Sequence, residues 1–195
     1  DLAIELFEAS LAAQRASVSD KQTLAYTLNA LGWTAHQASD DLRANVLLSE
    51  ALALRRDLGD KRGIAISLNN LGAVAQDRGD NIHAKPLFVE SLALFQDLGN
   101  NWYIAHCLQQ LAAVMLAETH PRRAAQLCAA AEALRETINA PLWPAARAHF
   151  ERIVLTARAQ LESLIASLES QRAVIGEAAV AATLAVLQAQ LAQLP

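Results

Sequence analysis

Glycine, proline, cysteine and aromatic residues are all scarce in this chain, with 7 Gly, 5 Pro, 2 Cys and 5% Phe, Trp and Tyr among 195 residues. Hydrophobic residues, mostly Ala and Leu, make up 53% and charged ones 18%. That balance argues against a disordered chain and for packed helices. Cys107 and Cys128 both lie in apolar helical patterns. They are expected as buried free thiols, not as a disulfide framework, which suits a cytoplasmic protein. A block of one charge is missing too. The net charge of −4 is dispersed, so neither a nucleic-acid backbone nor a membrane surface is an expected partner.

No basic segment followed by an apolar one marks a secretory signal. The opening at Asp1 falls in mid-pattern and reads as a piece cut from a larger protein. The longest uncharged run, AAVAATLAVLQAQLAQLP from Ala178 to Pro195, is rich in small residues and carries Thr183, Gln188, Gln190 and Gln193. A packing helix is expected there, not a membrane span.

Motifs for chemistry are equally sparse. No glycine-rich phosphate loop of the form G-x-x-x-x-G-K-[ST] occurs. His36, His83, His106, His120 and His149 form no H-E-x-x-H and no zinc-spaced pair with cysteine. No strained nucleophile elbow supports a Ser–His–Asp set. The expectation is a non-enzyme with no catalytic residue, cofactor or metal.

Repetition is what the sequence does have. TLNALGWTAHQASD (Thr27 to Asp40) returns forty residues on as SLNNLGAVAQDRGD (Ser67 to Asp80), and again as CLQQLAAVMLAETH (Cys107 to His120). At that spacing Ala25/Ala65/Ala105, Leu28/Leu68/Leu108, Leu31/Leu71/Leu111, Gly32/Gly72/Ala112, Ala44/Ala84/Ala124, Leu47/Leu87/Leu127 and Leu54/Leu94/Leu134 superimpose. Matches three and four apart in two blocks per copy mean two amphipathic helices, hence one helical hairpin per copy. Gly59, Gly79 and Gly99 are placed to close helices, and Asp60, Asp80 and Asn100 to cap the next ones. Helices are expected near 2–17, 22–38, 41–58, 61–78, 81–98, 102–117, 121–137, 144–172 and 177–193. Gly32 and Gly72, with Ala44 and Ala84, would let paired helices approach closely. A single hairpin cannot bury both faces, so neighbours must stack.

Leu28–Leu31–Gly32–Ala44–Leu48–Ala51 and Leu68–Leu71–Gly72–Ala84–Phe88–Ser91 resemble tetratricopeptide repeats, with a worn third copy and a preceding half-copy, AIELFEASLAAQR from Ala3 to Arg15. The LNNLG motif, the forty-residue spacing and the run beginning RRAAQLCAAAEALRETINAPLWPAARAHF further resemble the C-terminal repeats of bacterial STAND-class signalling ATPases, the MalT-like, LuxR-type and NB-ARC regulators. The resemblance, which covers about residues 3–161, implies an all-α, right-handed superhelical solenoid; the tail departs from it by the insertion ESLIASLESQRAVI, Glu162 to Ile175, and its apolar stripes suit a C-terminal helical cap. The array would cover residues 1–143, as a half repeat at 1–19 and repeats near 22–60, 61–100 and 101–140. Residues 144–195 would form the cap.

The resemblance also implies a concave groove lined by the first helix of each repeat. Its open positions would be Tyr26, Asn29, Trp33, His36 and Gln37, then Ile66, Asn69, Ala73, Gln76 and Asp77, then His106, Gln109, Ala113 and Leu116. In peptide-binding relatives an Asn in this register holds an extended backbone, which carries over to Asn29 and Asn69, with Gln109 a departure. Equally open is the reading that these amides solvate the groove or bond neighbouring helices. Trp33, whose copies are Ala73 and Ala113, is either an exposed anchor or a packing residue against an N-terminal repeat. Trp102 and Trp143 are read as packing residues.

Leu184, Leu187, Leu191 and Leu194 form a stripe that suits an intrachain cap or, alternatively, a homodimer seam. The expected role is a partner-binding sensor or scaffold arm of a bacterial signalling regulator that recognises a peptide, a protein or a small inducer. The alternatives are a structural dimerisation module and an adaptor arm of a cyclase or kinase.

Overall fold

Turns set the repeat. The computed structural model describes residues 21–142, 144–172 and 177–194. The half-copy at 3–15, the helix expected at 2–17 and Trp143 lie outside them. The backbone enters the left-handed region at Ser39, Gly59, Gly79, Gly99, Thr119 and Asn139, with φ between +48° and +76°. These positions recur every twenty residues, so the forty-residue copy contains two equivalent turns. After most of them the next N–H reaches back to the carbonyl five residues earlier, as in Asp40 to Ala35 and Asp80 to Ala75, both at 2.9 Å. This is the hydrogen-bond pattern that closes a helix on a left-handed residue.

The following residue then starts the next helix. Asp40, Asp60, Asp80 and Asn100 each accept from the backbone N–H three residues on, at 2.9 to 3.2 Å. His120 makes no such bond and is followed by Pro121 at the first helical position, where a missing N–H costs nothing. The caps at Asp60, Asp80 and Asn100 match the sequence expectation.

Between these stops run eight helices among the described residues, with no strand. They are α1 (Lys21–Gln37), α2 (Asp41–Leu58), α3 (Lys61–Asp77), α4 (Asn81–Asp97), α5 (Asn101–Ala117), α6 (Pro121–Thr137), α7 (Pro144–Ser170) and α8 (Glu177–Ala192). The chain divides into two compact units, Asp1–Gly99 and Asn100–Pro195. No described helix is long and apolar enough to cross a membrane.

In the first unit α1 pairs with α2 and α3 with α4, while α3 also packs on α2 and touches α1. Leu28, Leu31, Leu47 and Ala51 form one core cluster. Ala35, Ala44, Leu48, Leu52, Leu68, Leu71 and Val74 form another that joins the two hairpins. Gly32 and Gly72 each make room for a large side chain on the paired helix. A Cβ on Gly32 would lie 2.7 Å from Leu48 Cγ, and one on Gly72 would lie 2.7 Å from Phe88 Cε1. Ala44 and Ala84 are buried completely.

In the second unit α6 packs on α5, α7 on both α5 and α6, and α8 on α7 and α6. Cys107 and Cys128 are free and buried, as expected. Burial pushes the Cys128 thiol up to about 12, with the nearby Arg135 charge opposing the shift. Leu184, Leu187 and Leu194 are buried and Leu191 is half-buried. That stripe is spent inside the chain, because α8 turns its apolar side onto α7 and α6. The dimer-seam reading of Leu184, Leu187, Leu191 and Leu194 therefore gives way to an intrachain cap.

Candidate functional site

On α1, Tyr26, Trp33 and Gln37 are exposed and Asn29 is half-buried. Their spacing of three, seven and eleven residues puts them along one stripe of the helix. Tyr26 is 69% and Trp33 38% accessible. The Trp33 ring lies 5.3 Å from that of His36, which steadies it without covering it. His36 is itself clamped. Its Nδ1 is 3.0 Å from Asp41 of α2 and its Nε2 is 3.2 Å from Asp77 of α3. His36 and Asp77, each expected at an open groove position, thus meet and tie α1 to the second hairpin.

The carboxamides sit otherwise than a free ladder would. Asn29 Oδ1 accepts from Arg55 Nη1 at 3.2 Å, Ser67 Oγ at 3.3 Å and Asn70 Nδ2 at 3.3 Å. Arg55 also donates to the Gly63 carbonyl at 2.8 Å and to Ser67 Oγ at 2.9 Å. Asn69 and Gln109 are buried, and Gln109 Oε1 accepts from Arg135 Nη2 at 2.7 Å. As a ladder in the groove, Asn69 and Gln109 are corrected: neither is turned to solvent. For Asn29 and Gln109 the observed role is bonding between helices, because each places its acceptor beside a buried guanidinium that needs one. Ile66 and Gln76 are half-buried and Asp77 exposed, whereas Ala73 and Leu116 are buried.

His106 on α5 is largely covered, and its Nδ1 has no hydrogen-bond partner. Its pKa is drawn down to about 4 by burial first, then by the positive charges of Arg135 and His149. Trp102 lies at the start of α5, partly exposed, edge-on to Tyr103 at 4.8 Å and tilted to His106 at 5.8 Å. Among the described residues no group of three His, Cys, Asp or Glu side chains is placed to hold a metal ion.

No protein-family model matches this chain, and no curated protein matches it.

The two buried arginines escaped the sequence reading. Arg55, Phe95 and Arg135 fall in one column of the forty-residue alignment, directly after Leu54, Leu94 and Leu134. An arginine standing where another copy has a fully buried phenylalanine is the signal that could have found them.

Proposed function

We propose that the hairpins are tetratricopeptide-type repeats stacked in the right-handed sense, and that the chain is a non-catalytic partner-binding arm whose recognition face is the α1 stripe. The observation that carries this is the pair Tyr26 and Trp33, two large aromatic side chains left accessible two helical turns apart. Such residues dominate binding energy at interfaces when a partner covers them. The forty-residue pattern needs no aromatic at 33, since its copies are Ala73 and Ala113. With its oxygen engaged by Arg55, Ser67 and Asn70, Asn29 keeps its Nδ2 group to offer a partner carbonyl. The partner is read as an extended peptide or protein segment. The wider role, a sensor arm of a STAND-class signalling regulator, rests on the sequence resemblance. A reading frame with a phosphate-binding loop upstream would support it, and a frame with more hairpins alone would remove it.

The test is selection of peptides from a displayed random library against the chain, followed by titration with Tyr26→Ala, Trp33→Ala and the double variant. Each single change should weaken binding of selected peptides by roughly tenfold or more, about 1.4 kcal/mol. Peptides that bind the double variant as tightly as the unmodified chain would move the site elsewhere.

A further inference from the structure

The second unit holds a feature that the repeat pattern does not require. Between α6 and α7, where the chain turns through Asn139 to Leu142, lies a cavity of about 800 Å³. This is within the usual size of small-molecule sites. Its wall combines an apolar strip with charge. Leu142, Phe150, Val154 and Leu155 supply the strip, and Leu155 is 63% accessible although it is a large aliphatic residue. Arg135, Arg147 and Arg158 line the same space together with Glu132, Glu136 and Glu151, so the charges of these side chains cancel.

Arg135 is the unusual member. It is more than nine-tenths buried, with its guanidinium 5.1 Å from the centre of the Phe150 ring. Its Nη2 is engaged by Gln109 at 2.7 Å and reaches the Ala105 carbonyl at 3.5 Å. Its Nη1 has no hydrogen-bond partner. Glu132 Oε2 lies 3.7 Å from Nη1, an ion-pair distance beyond hydrogen-bond reach. A buried guanidinium with an unused donor is costly. The register-matched Arg55 spends its Nη1 on three acceptors, so the shortfall at Arg135 is particular to the copy that borders the cavity.

We infer that the cavity between α6 and α7 is a binding site for a small amphipathic monocarboxylate, with the carboxylate taken by Arg135 and the apolar body laid along Phe150, Val154 and Leu155. A carboxylate supplies the acceptor that Nη1 lacks and matches the planar fork of a guanidinium. A doubly charged phosphate fits less well, because three glutamates share the wall. The aliphatic strip gives the remainder of the molecule its contact area, and a ligand lying on Leu155 would cover that exposed side chain. This site is separate from the aromatic stripe on α1 and does not depend on it.

The experiment titrates the chain with 4-phenylbutyrate and with its neutral counterpart 4-phenylbutyramide, followed by saturation-transfer NMR and calorimetry at pH 7. The acid is expected to bind saturably and at least tenfold more tightly than the amide. Arg135→Gln should abolish that preference. Leu155→Trp, a change at an exposed position that fills the cavity, should weaken the acid at least tenfold while leaving the melting temperature in place. It keeps the test decisive if Arg135→Gln does not fold. Absence of saturable binding, equal affinity for acid and amide, or undiminished binding to Leu155→Trp would each overturn the assignment.

Discussion

Arg135 donates to the side-chain oxygen of Gln109 at 2.7 Å across 26 residues of chain, the same separation that joins Arg55 to Asn29. The two pairs are register-matched in the first and third copies, and the middle copy places Phe95 where the arginines stand. One backbone position thus accepts either a buried cation with an amide acceptor or an aromatic ring. Truncating the cation leaves the acceptors behind. Arg55→Ala should therefore destabilise the chain by about 3 kcal/mol, since the Asn29 and Gly63 oxygens lose a charged donor. Arg55→Phe should cost less because it restores the volume used in the middle copy. Urea unfolding of both variants checks this, and equal losses would show that pairing alone matters at this position.

The close pairs Gly32 with Leu48 and Gly72 with Phe88 make a size rule testable. Gly72→Ala puts a methyl group against the fully buried Phe88 ring and should cost roughly 1–3 kcal/mol. At the matching register the third copy has Ala112 and Cys128, a larger residue facing a smaller one. Combining Gly72→Ala with Phe88→Cys should accordingly be less harmful than the sum of the single changes. A double-mutant cycle in thermal unfolding measures the coupling, and strict additivity would contradict it.

Thr119 holds φ at +58° where the first unit uses glycine at Gly59 and Gly79. A β-branched residue is strained there. Thr119→Gly should stabilise the chain by about 0.5 kcal/mol, the relief of strain being partly offset by greater freedom of the unfolded chain. The reciprocal Gly79→Thr should destabilise by roughly 1–2 kcal/mol. Opposite shifts in melting temperature are the expected readout.

His106 gives the fold an acid sensitivity. An unfolded histidine titrates near 6.5, whereas burial and the Arg135 and His149 charges draw His106 down to about 4. Above pH 6.5 both states hold a neutral ring and the group contributes no pH dependence. Below it the unfolded chain takes up a proton that the folded chain refuses, so stability falls as the pH drops and the decline levels off near pH 4. Between pH 7 and pH 5 the loss attributable to His106 should be about 2 kcal/mol. His106→Gln should flatten that part of the curve in denaturant titrations at the two pH values. An unchanged slope would assign the sensitivity to other groups.

Much of the architecture was legible beforehand because helix signals are local. Apolar residues three and four apart, with Gly59, Gly79 and Gly99 at three of the stops and Asp60, Asp80 and Asn100 after them, placed all the described helices within two residues of their observed ends. The candidate site was legible only in part. Tyr26 and Trp33 stand exposed as anchors must, but Asn69 and Gln109 do not. Periodicity states which face a residue occupies, and says nothing of what the neighbouring helix brings to that face.

By itself, then, the sequence determined the hairpins, their forty-residue period and the turn chemistry between them, since each depends on residues close together in the chain. Tertiary structure decided the rest. It turned the Asn29 and Gln109 oxygens toward buried arginines, brought His36 between Asp41 and Asp77, spent the Leu184 to Leu194 stripe inside the chain, and opened a cavity beside Arg135. Each of these depends on groups dozens of residues apart that meet only when helices pack, and a buried polar atom must take whatever partner that packing supplies.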